Sequence, residues 1–121
     1  MISHIDHLVL TVSDIERAVA FYSSVLNMEA ITFGAGRRAV GFGNQKINLQ
    51  LGQEPRNRAQ VGSGDVCLIT RWPLEQVMAQ LACHGVEIVE GPVTKSGACG
   101  PIESIYFLDP DQNLIEVSIY P

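Results

Sequence analysis

Apolar and polar positions alternate along this chain in two periods, and the order in which one period gives way to the other occurs twice. Residues 7–12, His7-Leu8-Val9-Leu10-Thr11-Val12, are rich in apolar and β-branched side chains and predict a strand. The next four, Ser13-Asp14-Ile15-Glu16, read as a capping box in which Ser13 caps a helix and Glu16 reaches back. The helix runs to about Leu26 with Ile15, Ala18, Val19 and Tyr22 on one stripe, and Asn27 suits a left-handed stop. Residues 65–70 predict a second strand of the same character. Pro73 fits a first helical turn, Leu74, Val77, Met78 and Leu81 form its stripe, and Gly85 ends it. Adding 59 to each stripe position of the first helix gives the stripe of the second.

Three short strand-like runs follow each helix. They cover residues 30–33, 38–42 and 46–51 in the first half, and 86–89, 104–108 and 114–119 in the second, parted by Gly, Pro, Asn and Asp. Residues 52–64 are polar, contain Pro55, Gly62 and Gly64, and read as a linker. The pattern therefore predicts one α+β domain over residues 1–121. It consists of two tandem βαβββ modules, about 1–51 and 65–121, whose mixed sheets form a half-open barrel around a cleft.

A duplicated module constrains the chemistry. Ile47-Asn48-Leu49 aligns with Ile115-Glu116-Val117, which makes Asn48 and Glu116 equivalent, and His7 is equivalent to Asp65. A pseudo-twofold would set these positions across the cleft, and Gln50 shares the face of Asn48 because side chains two apart on a strand point the same way. An imidazole, two carboxylates and a Gln oxygen make a mixed N and O ligand set, suited to iron, manganese, nickel, cobalt or zinc over calcium. The plainer readings stay open: a strand histidine serves hydrogen bonding, Glu116 faces solvent on an alternating strand, and Asp65 is a turn residue after Gly62-Ser63-Gly64. His4 and His84 read as surface residues.

Composition narrows the partners. A net charge of −5 argues against a surface that tracks nucleic-acid phosphates. No apolar run approaches the ~20 residues of a membrane span, and the N-terminal residues lack the features of a secretory signal. Cys67, Cys83 and Cys99 are odd in number and without paired spacing, which predicts reduced thiols and a cytoplasmic protein. Cys67 lies in an apolar run and is expected in the core, Cys83 ends a helix, and Cys99 sits in a Gly-rich loop.

Three stretches carry a family resemblance. They are residues 5–12 leading into Phe21-Tyr22-Ser23-Ser24-Val25-Leu26-Asn27-Met28-Glu29; Gly91-Pro92-Val93; and residues 106–117, with Asp109-Pro110-Asp111-Gln112-Asn113 at their centre. The chain resembles the glyoxalase/bleomycin-resistance/dioxygenase family of the vicinal-oxygen-chelate superfamily. Residues 45–49, 67–70 and 97–106 look nearest to its glyoxalase-domain and bacterial virulence-type members. The resemblance implies that His7 and Glu116 bind a divalent metal, with Gln50 and Asp65 as further ligands. It also exposes departures: Asp65 stands where His is common, Asn48 where glyoxalase I has Glu, and Gln50 where a His is usual.

The implied function is a metal-dependent enzyme on a small substrate with neighbouring oxygens, of lyase, isomerase or ring-cleaving dioxygenase type. The metal would act as a Lewis acid, and Glu116 or Asp65 as base. Lys95, in a loop over residues 95–100, is expected to close over an anionic substrate, with Tyr106 and Arg38 lining the cleft. The alternative is a metal-free binding or resistance protein of the bleomycin-resistance type, or a domain whose pocket is vestigial. The superfamily commonly pairs its chains, so a homodimer is expected.

Overall fold

The computed structural model describes residues 1–52 and 55–121, and the chain divides into two compact units, Met1–Ser63 and Gly64–Pro121. The first unit contains β1 (His7–Thr11), α1 (Ile15–Val25), β2 (Glu29–Phe33), β3 (Arg37–Phe42) and β4 (Gln45–Gln50). Its sheet has the order β1-β4-β3-β2. β4 runs parallel to β1, and the other pairs are antiparallel. α1 lies against β2, β3 and β4 with Ala18, Val19, Tyr22 and Val25 buried. Alternation turns Ile47 and Leu49 of β4 to one face of the sheet, where both are buried.

The helix start differs from the capping box expected from sequence. Asp14 is the N-cap: its backbone is extended at φ −146°, and its carboxylate accepts from the Arg17 N–H at 3.0 Å. Glu16 faces Arg38, whose Nε donates to it at 3.0 Å. A start one residue later puts a charged oxygen on the free N–H groups of the first turn. The helix stop follows the sequence, with Asn27 at φ 55°.

The second unit repeats the order with β5 (Asp65–Ile69), α2 (Leu74–Cys83), β6 (Ile88–Gly97), β7 (Gly100–Leu108) and β8 (Leu114–Ile119). Its sheet, β5-β8-β7-β6, again has one parallel pair, β5 with β8. Each sheet is open, with four strands, and neither closes into a barrel. The register supports the duplication: Val9 pairs with Asn48 in one sheet, and Cys67 pairs with Glu116 in the other.

The two units part at their long hairpins. Gly91-Pro92, Gly97 and Gly100-Pro101 lie inside the paired strands β6 and β7, where the sequence suggests breaks. The pairing shifts register on both sides of Glu90, and such a bulge re-aims the strand. Gly91 adopts φ +100° there, and a Cβ would meet the Ser104 carbonyl, so glycine alone fits. Lys95 consequently belongs to a strand, opposite Ile102, and not to a closing loop. The Asp109–Asn113 turn explains another strong sequence signal. The buried Asp109 accepts from the backbone N–H groups of Asp111 and Asn113, both at 2.9 Å, and from the Asn113 side chain. Asn113 in turn accepts from Gly64 N–H at 2.7 Å, tying the start of β5 to the turn before β8. Among the described residues, no helix is long and apolar enough to cross a membrane.

Candidate functional site

In β8, Ile115 and Val117 are buried, and the alternation turns Glu116 and Ser118 to the other face. Cross-strand register places Cys67, Glu116, Tyr106 and Glu90 on one rung of the sheet, running from β5 to β6. Glu116, Tyr106, Cys67 and Lys95 line a cavity of about 430 Å³ in the second unit. Glu116 Oε2 accepts from Ser104 Oγ at 2.6 Å and from Ser118 Oγ at 3.3 Å, and the two hydroxyls are 2.7 Å apart. These bonds fix the plane of the carboxylate. Loss of solvation and then its hydrogen bond with Glu116 push the Tyr106 phenol up to about 12, which keeps its proton available for donation. Partial loss of solvation raises the Cys67 thiol, its hydrogen bond with Ser118 opposes this, and Glu116 adds to it. Lys95 Nζ pairs with Glu90 at 3.0 Å and lies 5.5 Å from the Tyr106 ring.

The first unit has a cavity of its own, of about 350 Å³, at the equivalent face. His7, Asn48 and Gln50 line it together with Arg37, Lys46 and Arg56. His7 Nδ1 lies 2.8 Å from the Asp6 carboxylate, which can only accept, so Nδ1 is the donor. That hydrogen bond holds the Asp6 carboxyl below its ordinary value. Asn48 Oδ1 and Gln50 Nε2 are buried and find no partner among the described residues.

The structure thus groups Glu116, Lys95 and Tyr106 in one unit, and His7 and Gln50 in the other. Asp65 is exposed at the start of β5, on the face of Cys67, and lines neither cavity. Arg38 lines neither: its guanidinium holds Glu16 and donates to Thr32 Oγ1 at 2.7 Å, and strand parity turns its neighbour Arg37 to the cavity instead. Cys67, expected in the core, is exposed because β5 is an edge strand. Sequence reasoning missed Ser104, whose role rests on a cross-strand hydrogen bond. Ser118 was within reach, two residues past Glu116 on an alternating strand.

The residues of either unit, taken by itself, do not fit a divalent metal. The donors of the first are one imidazole and two carboxamides beside three cations. In the second, Glu116 already accepts from two hydroxyls, and the remaining donor is the sulfur of Cys67. Among the described residues no three His, Cys, Asp or Glu side chains are grouped to hold an ion.

The model of the Glyoxalase/Bleomycin resistance protein/Dioxygenase superfamily matches residues 4–117. Virulence protein STM3117 of Salmonella typhimurium is 50% identical, over 99% of this chain and 86% of that protein. An integron cassette protein from the mobile metagenome of V. cholerae has the same fold, with a TM-score of 0.94 and 55% identity over 100% of this chain and 98% of that one. The fosfomycin resistance protein FosX of Listeria monocytogenes, solved with Mn(II) and sulfate, shares the fold at a TM-score of 0.73 and 22% identity, over 100% of this chain and 93% of its own. With the duplicated βαβββ unit and its register, these matches show that the chain belongs to the glyoxalase/bleomycin resistance protein/dioxygenase superfamily.

Proposed function

We propose that this chain is an enzyme that moves a proton on a small substrate with neighbouring oxygens, a lyase or isomerase reaction in which Glu116 is the base. The observation that supports this reading is the convergence of Glu116, Tyr106 and Lys95 on one cavity. Glu116 takes a proton from the carbon next to a carbonyl, and the electron pair moves onto the carbonyl oxygen. Tyr106, still protonated at neutral pH, donates to that oxyanion, and Lys95 faces its charge by exchanging its partner Glu90 for the substrate. Ser104 and Ser118 are positioning residues that hold the carboxylate. The hydroxyl on the deprotonated carbon then gives its proton to the Tyr106 phenolate and becomes the new carbonyl. Glu116 returns its proton to the former carbonyl carbon, which completes an isomerisation with both residues restored.

The test is solvent deuterium exchange, followed by NMR, over a set of small 2-oxo and 2-hydroxy compounds. Wild-type protein exchanges the carbon-bound hydrogen of at least one, and Glu116→Gln lowers that rate by about 10²–10⁴. Binding without exchange would make the chain a binding protein of the bleomycin-resistance type.

A second reading, assistance by a divalent metal, is favoured by the Asp6–His7 bond, since a carboxylate on one imidazole nitrogen orients the other toward a metal. It is checked by melting chelator-stripped protein with manganese, iron(II), cobalt, nickel or zinc. A rise lost in His7→Ala supports it, and no rise with any metal removes it. We also place the chain in the cytoplasm as a homodimer, a reading supported by its three free cysteines and by the open edges of its sheets.

A further inference from the structure

The β6–β7 hairpin reaches beyond the strand that supports it. Pairing of β7 with β8 ends at Glu103 and Ile119, whereas pairing of β6 with β7 continues to Gly97 and Gly100. Residues 95–102 therefore form a two-stranded overhang, and a two-stranded ribbon is marginal in water by itself. Ser96, Gly97 and Ala98 of its tip line the cavity that holds Glu116 and Tyr106. We propose that Tyr120 is the positioning residue of this tip: its hydroxyl fastens the overhang at the cavity rim and so sets how tightly substrate is held. The positioning role rests on the reading of that cavity as the substrate site, whereas the fastening does not.

Tyr120 directly follows β8 and continues the alternation of Glu116 and Ser118, which brings its ring to the cavity. Its Oη accepts from the Cys99 N–H at 3.0 Å. Gly97 makes room for that contact. A Cβ there would fall 2.5 Å from Tyr120 Oη, 2.9 Å from Ile102 Cγ2 and 3.0 Å from the Gly100 carbonyl oxygen. The end of the phenol thus lies against bare hairpin backbone, and any side chain at 97 would push it away. The overhang has an apolar anchor in the buried Ile102 and a polar one in Tyr120. Burial of Ile102 is non-directional and holds the ribbon down without aiming it. The hydrogen bond acts at the turn itself, beyond the last strand pair, and fixes where the tip sits.

The experiment compares wild type with Tyr120→Phe, which keeps the ring and removes the hydroxyl. Amide hydrogen exchange at Cys99, read by NMR, should be about fivefold faster in the variant, the scale of one neutral hydrogen bond. With a compound from the deuterium-exchange set, Tyr120→Phe should raise KM about fivefold and leave kcat unchanged, because the tip holds substrate and touches no reacting atom. Gly97→Ala should act in the same direction, and by less in the Tyr120→Phe background, where the clashing hydroxyl is gone. An unchanged Cys99 amide in Tyr120→Phe would overturn the fastening. A faster amide with an unchanged KM overturns the positioning role and leaves Glu116 as the base. Binding without proton transfer sinks the Glu116 reading alone, and the fivefold loss is then read in Kd. Wild-type protein that binds none of the compounds removes the substrate site, and the positioning role with it.

Discussion

The two units share one topology and almost nothing of their polar faces. The first carries a net charge of +1 and the second −6, from five and eight acidic residues against six and two basic ones. At equivalent positions of β4 and β8, Ile47 and Ile115 are both fully buried, as are Leu49 and Val117 to within a few per cent. The residues between them differ: Asn48 against Glu116, and Gln50 against Ser118. The rung that reads Val9, Asn48, Ala39 and Ile31 in one sheet reads Cys67, Glu116, Tyr106 and Glu90 in the other. A βαβββ unit needs only the buried half of each strand to fold, which leaves the alternate half free to diverge into a cationic recess in one copy and a carboxylate-centred one in the other.

The comparison breaks first if the shared half is not equivalent in energy. Ile47→Ala and Ile115→Ala should each cost about 2–5 kcal/mol in denaturant unfolding, because each empties a site that excludes solvent completely. A large loss in one and none in the other would mean that the buried faces do not carry equal weight.

The helix starts offer a smaller test. α1 has a side-chain cap in Asp14, whereas α2 begins at Pro73 without one. Asp14→Ala should therefore cost about 1 kcal/mol of stability. Pro73→Asp, which gives α2 the missing acceptor, should raise stability by a fraction of that amount, and a loss would show that the proline constraint matters more.

The smallest expected effect concerns alkaline pH. The folded Tyr106 holds its proton to about 12, above the ~10 of an unfolded tyrosine, so the native state binds more protons between those values. Its contribution to stability is complete below pH ~10 and is lost as pH rises through the folded value. Stability curves of Tyr106→Phe and wild type should differ in slope over that alkaline window and run parallel at neutral pH. The first unit has Ala39 at this place on its rung.

Both helices, the duplication and most strands were legible in the sequence, because buried apolar residues at a helical or alternating period leave a strong local signal. Asn27 and Gly85 mark both helix ends, and their positive φ angles explain why. The sequence does not separate Ser13 from Asp14 as the cap, since both are good acceptors and only the backbone decides between them. Gly91-Pro92 and Gly97 resemble breaks in the sequence and suggest a loop at Lys95, whereas a bulge absorbs them inside a strand. Arg37 and Arg38 are adjacent and alike, and a shift of one residue in parity exchanges the one in the cavity with the one on Glu16.

By itself the sequence determined the α+β class and the two-module plan, since those follow from periodicity, and it marked Glu116 as a candidate, a carboxylate among apolar neighbours. Tertiary structure alone decided which polar side chains meet: Ser104 on Glu116, Lys95 beside Tyr106, and three cations of β3, β4 and residue 56 around one recess. The reason is physical. Burial is a property of single residues and their spacing along the chain. A cavity's chemistry depends on cross-strand register and on which face each side chain takes, and a one-residue shift changes both.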